Sequence, residues 1–152
     1  MTAPATAIGA QAPPEAVMHL QALASALGVF RWYLETTLAV WRMDDLIDTA
    51  AVVLSEIATN AVLAVQRWQV HYPGGHVDPT ITAVFRKVND TAVCIEIWDR
   101  CPDQPPPPPA VDIPELEDEH GRGLFLVEQL SRRWGISQAG NGGKCVWAVL
   151  AA

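Results

Sequence analysis

The chain has 152 residues, half of them apolar, and a formal net charge of −7. This length suits one domain with a hydrophobic core, and the apolar content excludes a chain that is disordered throughout. The ten lysines and arginines are scattered along the chain. Direct binding of nucleic acid is therefore disfavoured, because nonspecific binding to phosphate backbones needs clustered positive charge.

The cysteines and the apolar runs indicate where the protein works. Cys94, Cys101 and Cys145 are odd in number and lack the paired spacing of a zinc site, which favours reduced thiols over a disulfide framework. No basic segment precedes an apolar run, so no secretory signal is expected. Apolar runs also break before about 18 residues, which argues against a membrane span. We therefore expect a cytoplasmic protein.

The first third of the chain predicts a tail, a strand and a helix. Residues 1–14 are small, proline-bearing and without periodicity, so they are predicted to be a disordered tail before a single domain over residues 15–152. A short strand is predicted over residues 15–22. Apolar residues at helical spacing then predict a first helix from about Ser25 to near Trp41.

A second helix and a hairpin follow. Asp44 or Asp45 is expected to cap the second helix, which is predicted to run to about Trp68. A hairpin is predicted from TITAVFRKV and TAVCIEIWD, because both segments alternate or are β-branched and Asn89-Asp90 between them is turn chemistry.

The last third of the chain predicts a long loop, a helix and a strand. The loop, residues 101–119, is proline-rich and acidic. The segment EHGRGLFLVEQLSRRWG is predicted to form the helix. The segment SQAGNGGKCVWAVLAA is predicted to form a glycine-rich turn and a final strand. Together the elements predict an α+β fold, a two-layer α/β sandwich with helices on one face of a mainly antiparallel mixed sheet.

The second helix carries a narrow polar notch. Between residues 50 and 65 its polar residues are Ser55, Glu56, Thr59 and Asn60, and at 100° per residue they span roughly 140°. Such a notch is either the solvent side of an amphipathic helix or a functional site. A carboxylate and an amide oxygen one turn apart are groups that a magnesium-bound phosphate needs. Both interpretations stay open from these residues alone.

Two further features allow both a structural and a functional interpretation. Asp99 follows a predicted strand, where it is either a turn residue or an acceptor for an exocyclic amine such as that of adenine. Gly121 and Gly123 precede a predicted helix, where they form either a helix-starting turn or a backbone cradle for phosphate.

Taken in order, four motifs resemble a known family. They are LSEIATNAV, IWDRCPDQPPPPP, EHGRGLFLVEQLSRRWG and GGKCVWAVL. Their order and spacing resemble the GHKL (histidine-kinase-like) ATP-binding fold, and most closely the stand-alone serine protein kinases that act as anti-sigma factors. The resemblance covers about residues 16 to 150.

The resemblance implies a role for each motif. It implies that Asn60 ligates Mg²⁺ and that Glu56 acts as the general base or orients water. It implies that Asp99 receives the adenine amino group of ATP and that the loop over residues 101–119 is the ATP lid. The other residues it assigns to nucleotide binding are Gly121, Arg122, Gly123, Leu124, Lys144 and Cys145.

The resemblance also implies partners. It implies transfer of the γ-phosphoryl group of ATP to a Ser or Thr of an anti-anti-sigma (STAS-type) protein. It also implies control of a sigma factor by partner switching, and it allows a homodimer. A detached catalytic domain of a two-component histidine kinase is a weaker interpretation, because no upstream helix pair with a phospho-acceptor histidine is visible.

Three departures from the family pattern support a rival. Cys101 and Asp103 replace the glycines of the family's Asp-x-Gly-x-Gly motif, and Cys145 stands where relatives often have threonine. The run of prolines over residues 105–109 favours a stiff polyproline II segment or a partner-binding surface. The rival is a catalytically inactive or nucleotide-weak protein-binding module of the same fold.

Overall fold

The computed structural model describes residues 14–71, 74, 77–101, 124–138 and 143–152. In chain order its elements are β1 (Glu15–Gln21), α1 (Ala24–Val40), a short 3-10 helix (Asp44–Leu46), α2 (Ile47–His71), β2 (Thr80–Asn89), β3 (Ala92–Asp99), β4 (Arg133–Gln138) and β5 (Lys144–Ala151). Residues 124–130, between β3 and β4, are also helical. The predicted tail and most of the predicted lid lie outside the described residues.

The strands form one sheet in the order β1-β2-β3-β5-β4. Each neighbouring pair is antiparallel. The predicted hairpin is confirmed as β2 and β3, and its turn is held by the Asn89 side chain, which accepts a hydrogen bond from the Thr91 N–H at 2.9 Å. The α+β class is confirmed, and the described sheet is antiparallel throughout, whereas the sequence predicted a mixed one.

The two long helices pack on one face of the sheet. Along β3, Val93, Ile95 and Ile97 are at most 1% exposed and belong to the same hydrophobic core as Phe30 of α1 and Ile57 of α2. The residues between them point to the other face, because side chains alternate along a strand. The sheet therefore has one face covered by helices and one that carries Cys94, Glu96 and Trp98.

Helix α1 ends in a Schellman motif without glycine. Met43 N–H donates to Leu38 O at 2.8 Å, and Arg42 N–H donates to Ala39 O at 3.1 Å. Arg42 has a φ of 59°, the left-handed conformation that this cap requires and that glycine usually supplies. The helix thus ends where apolar periodicity predicted, although no glycine marks the position.

The start of the second helix differs from the prediction. Asp44 and Asp45 lie inside the first turn of the 3-10 helix, and the position before it is Met43, which makes no side-chain cap bond. The expected carboxylate cap at Asp44 or Asp45 is therefore wrong. Both acids still lie at the amino end of the helical segment, where the helix dipole favours negative charge.

The segment Asp44–His71 is long and apolar enough to cross a membrane by length and composition, contrary to the sequence expectation that no segment is. The core helix of a soluble protein passes the same test. Here the apolar side of α2 packs against the sheet. Its buried residues are Ala50, Val53, Leu54, Ile57, Ala58, Ala61, Val62 and Val65. Packing explains the composition of this helix.

A strand that the sequence did not predict completes the sheet. The helix predicted to continue through SRRWG ends by residue 130, and β4 begins at Arg133. β4 pairs only with β5 among the described strands, so it forms an edge. Five of its six residues are polar, glycine or half-exposed tryptophan, which is why its pattern does not alternate like that of a core strand.

Gly135 in β4 provides a test of this packing. A Cβ at this position would lie 2.8 Å from Cζ2 of Trp147, the residue paired with it on β5. We expect Gly135→Ala to lower the free energy of unfolding by about 1–3 kcal/mol, because the indole must move. Gly28→Ala is the matched control: nothing lies within 4 Å of its Cβ, and it should stabilise α1 by about 1 kcal/mol. Urea denaturation measures both, and equal effects of the two changes would contradict the packing.

Candidate functional site

The carboxyl end of β3 brings Asp99 and Lys144 together. These residues are 45 positions apart in the chain, but they are directly paired in the β3–β5 ladder. Paired residues of an antiparallel ladder project to the same face, which here is the face covered by the helices. Lys144 Nζ lies 3.9 Å from Asp99 Oδ2, so the pairing produces an ion pair at the end of the strand.

Asp99 is a buried carboxylate with limited support. It is 3% exposed, and its Oδ1 accepts a hydrogen bond from the Cys101 N–H at 3.0 Å. Burial raises the pKa of Asp99, and the Lys144 ammonium and the Cys101 N–H oppose that rise without cancelling it. A carboxylate offers about four acceptor positions, so Asp99 retains capacity for a donor from a ligand.

The two cysteines that replace family residues lie on different sides of the sheet. Cys101 is 5% exposed, lies two residues after Asp99 and belongs to the core under the helices, whereas Cys145 is paired with Trp98 and lies on the other face. The residue that β5 pairs with this carboxylate is Lys144. The predicted contact of Cys145 with adenine stays a prediction.

Both thiols are held in their protonated form. Burial raises the pKa of Cys101 to about 12, and the neighbouring Asp99 adds to the shift. Burial also raises the pKa of Cys145 to about 12. A thiol with such a pKa is neither a nucleophile nor a metal ligand near neutral pH.

The polar notch of α2 lies at the border of the core. Its four residues are all partly exposed, while their neighbours Ile57 and Ala58 are fully buried. Thr59 Oγ1 donates to Ser55 O at 2.6 Å, a bond that stays within the helix. α2 packs against β3 and β5, so Glu56 and Asn60 belong to the helix that covers the strand ending in Asp99. A helix face that only met solvent would expose these side chains more fully.

The third predicted motif is described only in part. Gly121, Arg122 and Gly123 lie outside the described residues, and their predicted phosphate contacts stay a prediction. Leu124 is partly exposed at the start of the described part of the helical segment, and Val127 one turn later is fully buried in the core. This segment is thereby anchored to the same core as α2.

Sequence reasoning missed one ion pair beside the site. Arg100 Nε lies 3.4 Å from Asp78 Oδ2, and Asp78 also accepts from the Thr80 N–H at 2.9 Å. This arrangement ties the residue after Asp99 to the start of β2. The Asp99–Lys144 pair was likewise missed, although both residues were candidates, because only strand order makes them neighbours.

The comparisons with known proteins agree with this geometry. Residues 20–150 match the family described as the histidine kinase-like ATPase domain. The chain belongs to the histidine kinase-like ATPase domain family. No curated protein matches the chain significantly.

Two solved structures share the fold of this ATPase domain. The RsbU and RsbW domains of Rv1364c from Mycobacterium tuberculosis match with a TM-score of 0.61 at 23% identity, over 91% of this chain and 32% of that chain. The SiaB–SiaC complex from Pseudomonas aeruginosa matches with a TM-score of 0.62 at 13% identity, over 97% of this chain and 95% of that chain. The chain thus spans about a third of the first structure and nearly all of the second. The predicted GHKL (histidine-kinase-like) ATP-binding fold is confirmed.

Membership in an ATPase domain family makes ATP the nucleotide of this fold. Within the described ranges, no group of three or more His, Cys, Asp or Glu side chains could hold a metal ion. Magnesium in nucleotide sites commonly keeps phosphate and water oxygens among its ligands.

The raised pKa of Asp99 predicts a pH-dependent cost to stability. Because the folded protein binds this proton more tightly than the unfolded chain, whose value is near 3.8, stability is lost as pH rises from that value through the folded pKa. We expect Asp99→Asn to be more stable than the native protein at neutral pH, with the difference shrinking as pH falls below 4. Urea denaturation between pH 3.5 and 8 measures it. Asp90→Asn, at a fully exposed turn position, is the control, and a greater loss for Asp99→Asn at pH 7 would contradict the prediction.

The buried thiols predict slow alkylation of the folded protein. With a pKa of about 12, on the order of one Cys101 or Cys145 side chain in ten thousand is a thiolate at pH 8. Burial also raises the pKa of Cys94 to about 11. We expect negligible reaction with iodoacetamide in buffer and labelling of all three cysteines in 8 M urea, read by mass spectrometry. Rapid labelling of either Cys101 or Cys145 in the folded protein would show that the site is more open than described.

Proposed function

We propose that this ATPase domain transfers the γ-phosphoryl group of ATP to a Ser or Thr of a protein partner. The partner is an anti-anti-sigma protein of the STAS type, and the domain also holds a sigma factor, so that phosphorylation selects which of the two is bound. The protein acts in the cytoplasm, and its assembly allows a homodimer. The fold similarity to an RsbW domain and to the SiaB–SiaC complex supports a protein partner.

The buried carboxylate of Asp99 carries the proposal. A charged group that is 3% exposed opposes folding unless it is paired, and among the described residues Asp99 has the Cys101 N–H, the Cys101 thiol and one ion pair at 3.9 Å. Proteins retain such groups where they bind or react. An adenine amino group would supply a further donor at this strand end.

The notch of α2 fits the phosphate end of the nucleotide. Asn60 offers a hard amide oxygen and Glu56 a carboxylate one turn away, both partly exposed beside the core. Magnesium in nucleotide sites binds through one or two protein oxygens together with phosphates and waters, so this donor set fits a Mg²⁺ ion held by Asn60. When bound, the ion would neutralise charge on the phosphate oxygens.

Phosphoryl transfer then requires positioning and one proton acceptor. The hydroxyl oxygen of the partner's Ser or Thr forms a bond to the γ-phosphorus, the bond from that phosphorus to the bridging oxygen breaks, and ADP leaves. Glu56 accepts the proton of the hydroxyl. Little covalent chemistry falls to the protein, so the placement of ATP by Asn60 and Asp99 contributes most of the rate.

A binding module without chemistry is the second candidate. Cys101 favours it, because a buried thiol occupies the space beside Asp99 where family members have glycine. Such a module would bind its partner, and at most weakly ATP, and would transfer no phosphate. A fold by itself does not decide between the two functions.

Calorimetric titration of ATP with and without Mg²⁺ tests the proposal. We expect the native chain to bind ATP in a Mg²⁺-dependent way, and Asn60→Ala to lose most of that dependence. Gln69→Ala, an exposed amide on the same helix, is the matched control and should behave like the native chain. Absence of binding at millimolar ATP would remove both the kinase and the ATP-regulated interpretation.

Glu56→Gln separates binding from chemistry. The amide keeps the shape of the side chain but cannot accept the proton, so ATP affinity should be retained while transfer of ³²P from labelled ATP to a cognate STAS-type protein falls about 10²–10⁴-fold. Native protein that binds ATP and labels no partner would establish the binding module instead. Loss of ATP binding in Glu56→Gln would assign Glu56 a structural role.

A further inference from the structure

The ion pair between Asp99 and Lys144 joins the end of β3 to the start of β5. Asp99 is almost wholly buried, whereas the Lys144 side chain is 36% exposed and reaches in from β5. The Lys144 side chain therefore keeps contact with water, whereas the carboxylate on which its charge acts is almost wholly shielded from water. This asymmetry makes Lys144 a group that controls Asp99 at little desolvation cost to itself.

The charge of Asp99 is the result of opposing effects. Burial favours the neutral acid, while Lys144 and the Cys101 N–H favour the carboxylate. The adjacent Arg100 is paired with Asp78 at 3.4 Å, and the Cys101 thiol beside Asp99 is protonated. On α2, which packs over this strand, the ionisable residues are Asp48, Glu56, Arg67 and His71. Lys144 is the cation placed nearest to the Asp99 oxygens among the described residues.

We propose that Lys144 is a positioning residue that keeps Asp99 ionised and thereby makes the site select a purine with an amino group at C6. The choice of base rests on the proposed nucleotide site, whereas the control of charge is a property of the free protein. A carboxylate accepts hydrogen bonds and donates none, so it pairs with the amino group of adenine and repels the carbonyl oxygen of guanine. A neutral acid also donates, and the distinction between the two purines weakens.

The first experiment measures the charge of Asp99 in the nucleotide-free protein. Its carboxyl ¹³C resonance is followed by NMR from pH 3 to 8 in the native chain, Lys144→Met and Lys144→Arg. We expect Lys144→Met to raise the pKa of Asp99, and Lys144→Arg to restore the native value because arginine keeps the positive charge. Lys87→Met is the matched control, since Lys87 pairs with Asp90 at the hairpin turn on the far end of β3.

The second experiment measures ATP and GTP affinities at pH 6 and pH 8 in the same variants. The native protein should prefer ATP equally at both values. Lys144→Met should lose ATP affinity mainly at pH 6, by about tenfold for each pKa unit that lies above the buffer pH, and its ATP preference should fall with it. In an Asp99→Asn background, Lys144→Met should cause no further pH-dependent loss.

Each remaining outcome decides against a stated part of the proposal. An unchanged Asp99 titration in Lys144→Met overturns the control of charge. A loss of ATP affinity that is equal at both pH values, and that persists with Asp99→Asn, assigns Lys144 to a phosphate contact instead. Absence of all nucleotide binding overturns the proposed function and the base selection together, while the NMR titration still decides the role of Lys144. Intact binding without phosphoryl transfer refutes the kinase alone.

Discussion

The antiparallel pairing of β3 with β5 is the constraint on which the site depends. These strands lie in the middle of the sheet, and their ladder brings the end of one to the start of the other. Because facing residues share a side, one choice of register places Asp99 and Lys144 together under the helices and turns Trp98 and Cys145 outward. A slip of one residue would pair Asp99 with Cys145 or Gly143 and separate it from Lys144.

The hydrophobic core and the polar site compete for the same helix. α2 buries eight residues against the sheet, and this contact fixes where Glu56 and Asn60 emerge at the edge of the core. The same packing dehydrates Asp99, which raises its pKa and costs stability at neutral pH. A purely structural design would place an apolar or amide side chain there. Retaining the acid is the pattern expected where binding is selected over stability.

The elements predicted correctly from the sequence are those defined by a residue pattern within a single segment. Alternation and turn residues gave the β2–β3 hairpin, and apolar periodicity gave both long helices. β4 was missed because RWGISQ has no alternation of its own and becomes a strand only by pairing with β5. The face occupied by Cys145 and the contact between Lys144 and Asp99 were not predicted, for the same reason. Strand register is set by partners far along the chain, and no local pattern in one sequence reveals it.

The cysteine after Asp99 weighs less against activity than its sequence suggests. Asp99 receives a backbone N–H from position 101, a donor that is independent of the side chain, and the Cys101 thiol also hydrogen-bonds to it. Within the described residues, Arg42 is the one non-glycine residue with positive φ, so the backbone at Cys101 adopts a conformation open to any amino acid. Glycine is therefore not needed at this position to hold the carboxylate. The Cys101 thiol, which burial keeps protonated, adds a hydrogen bond to the Asp99 carboxylate.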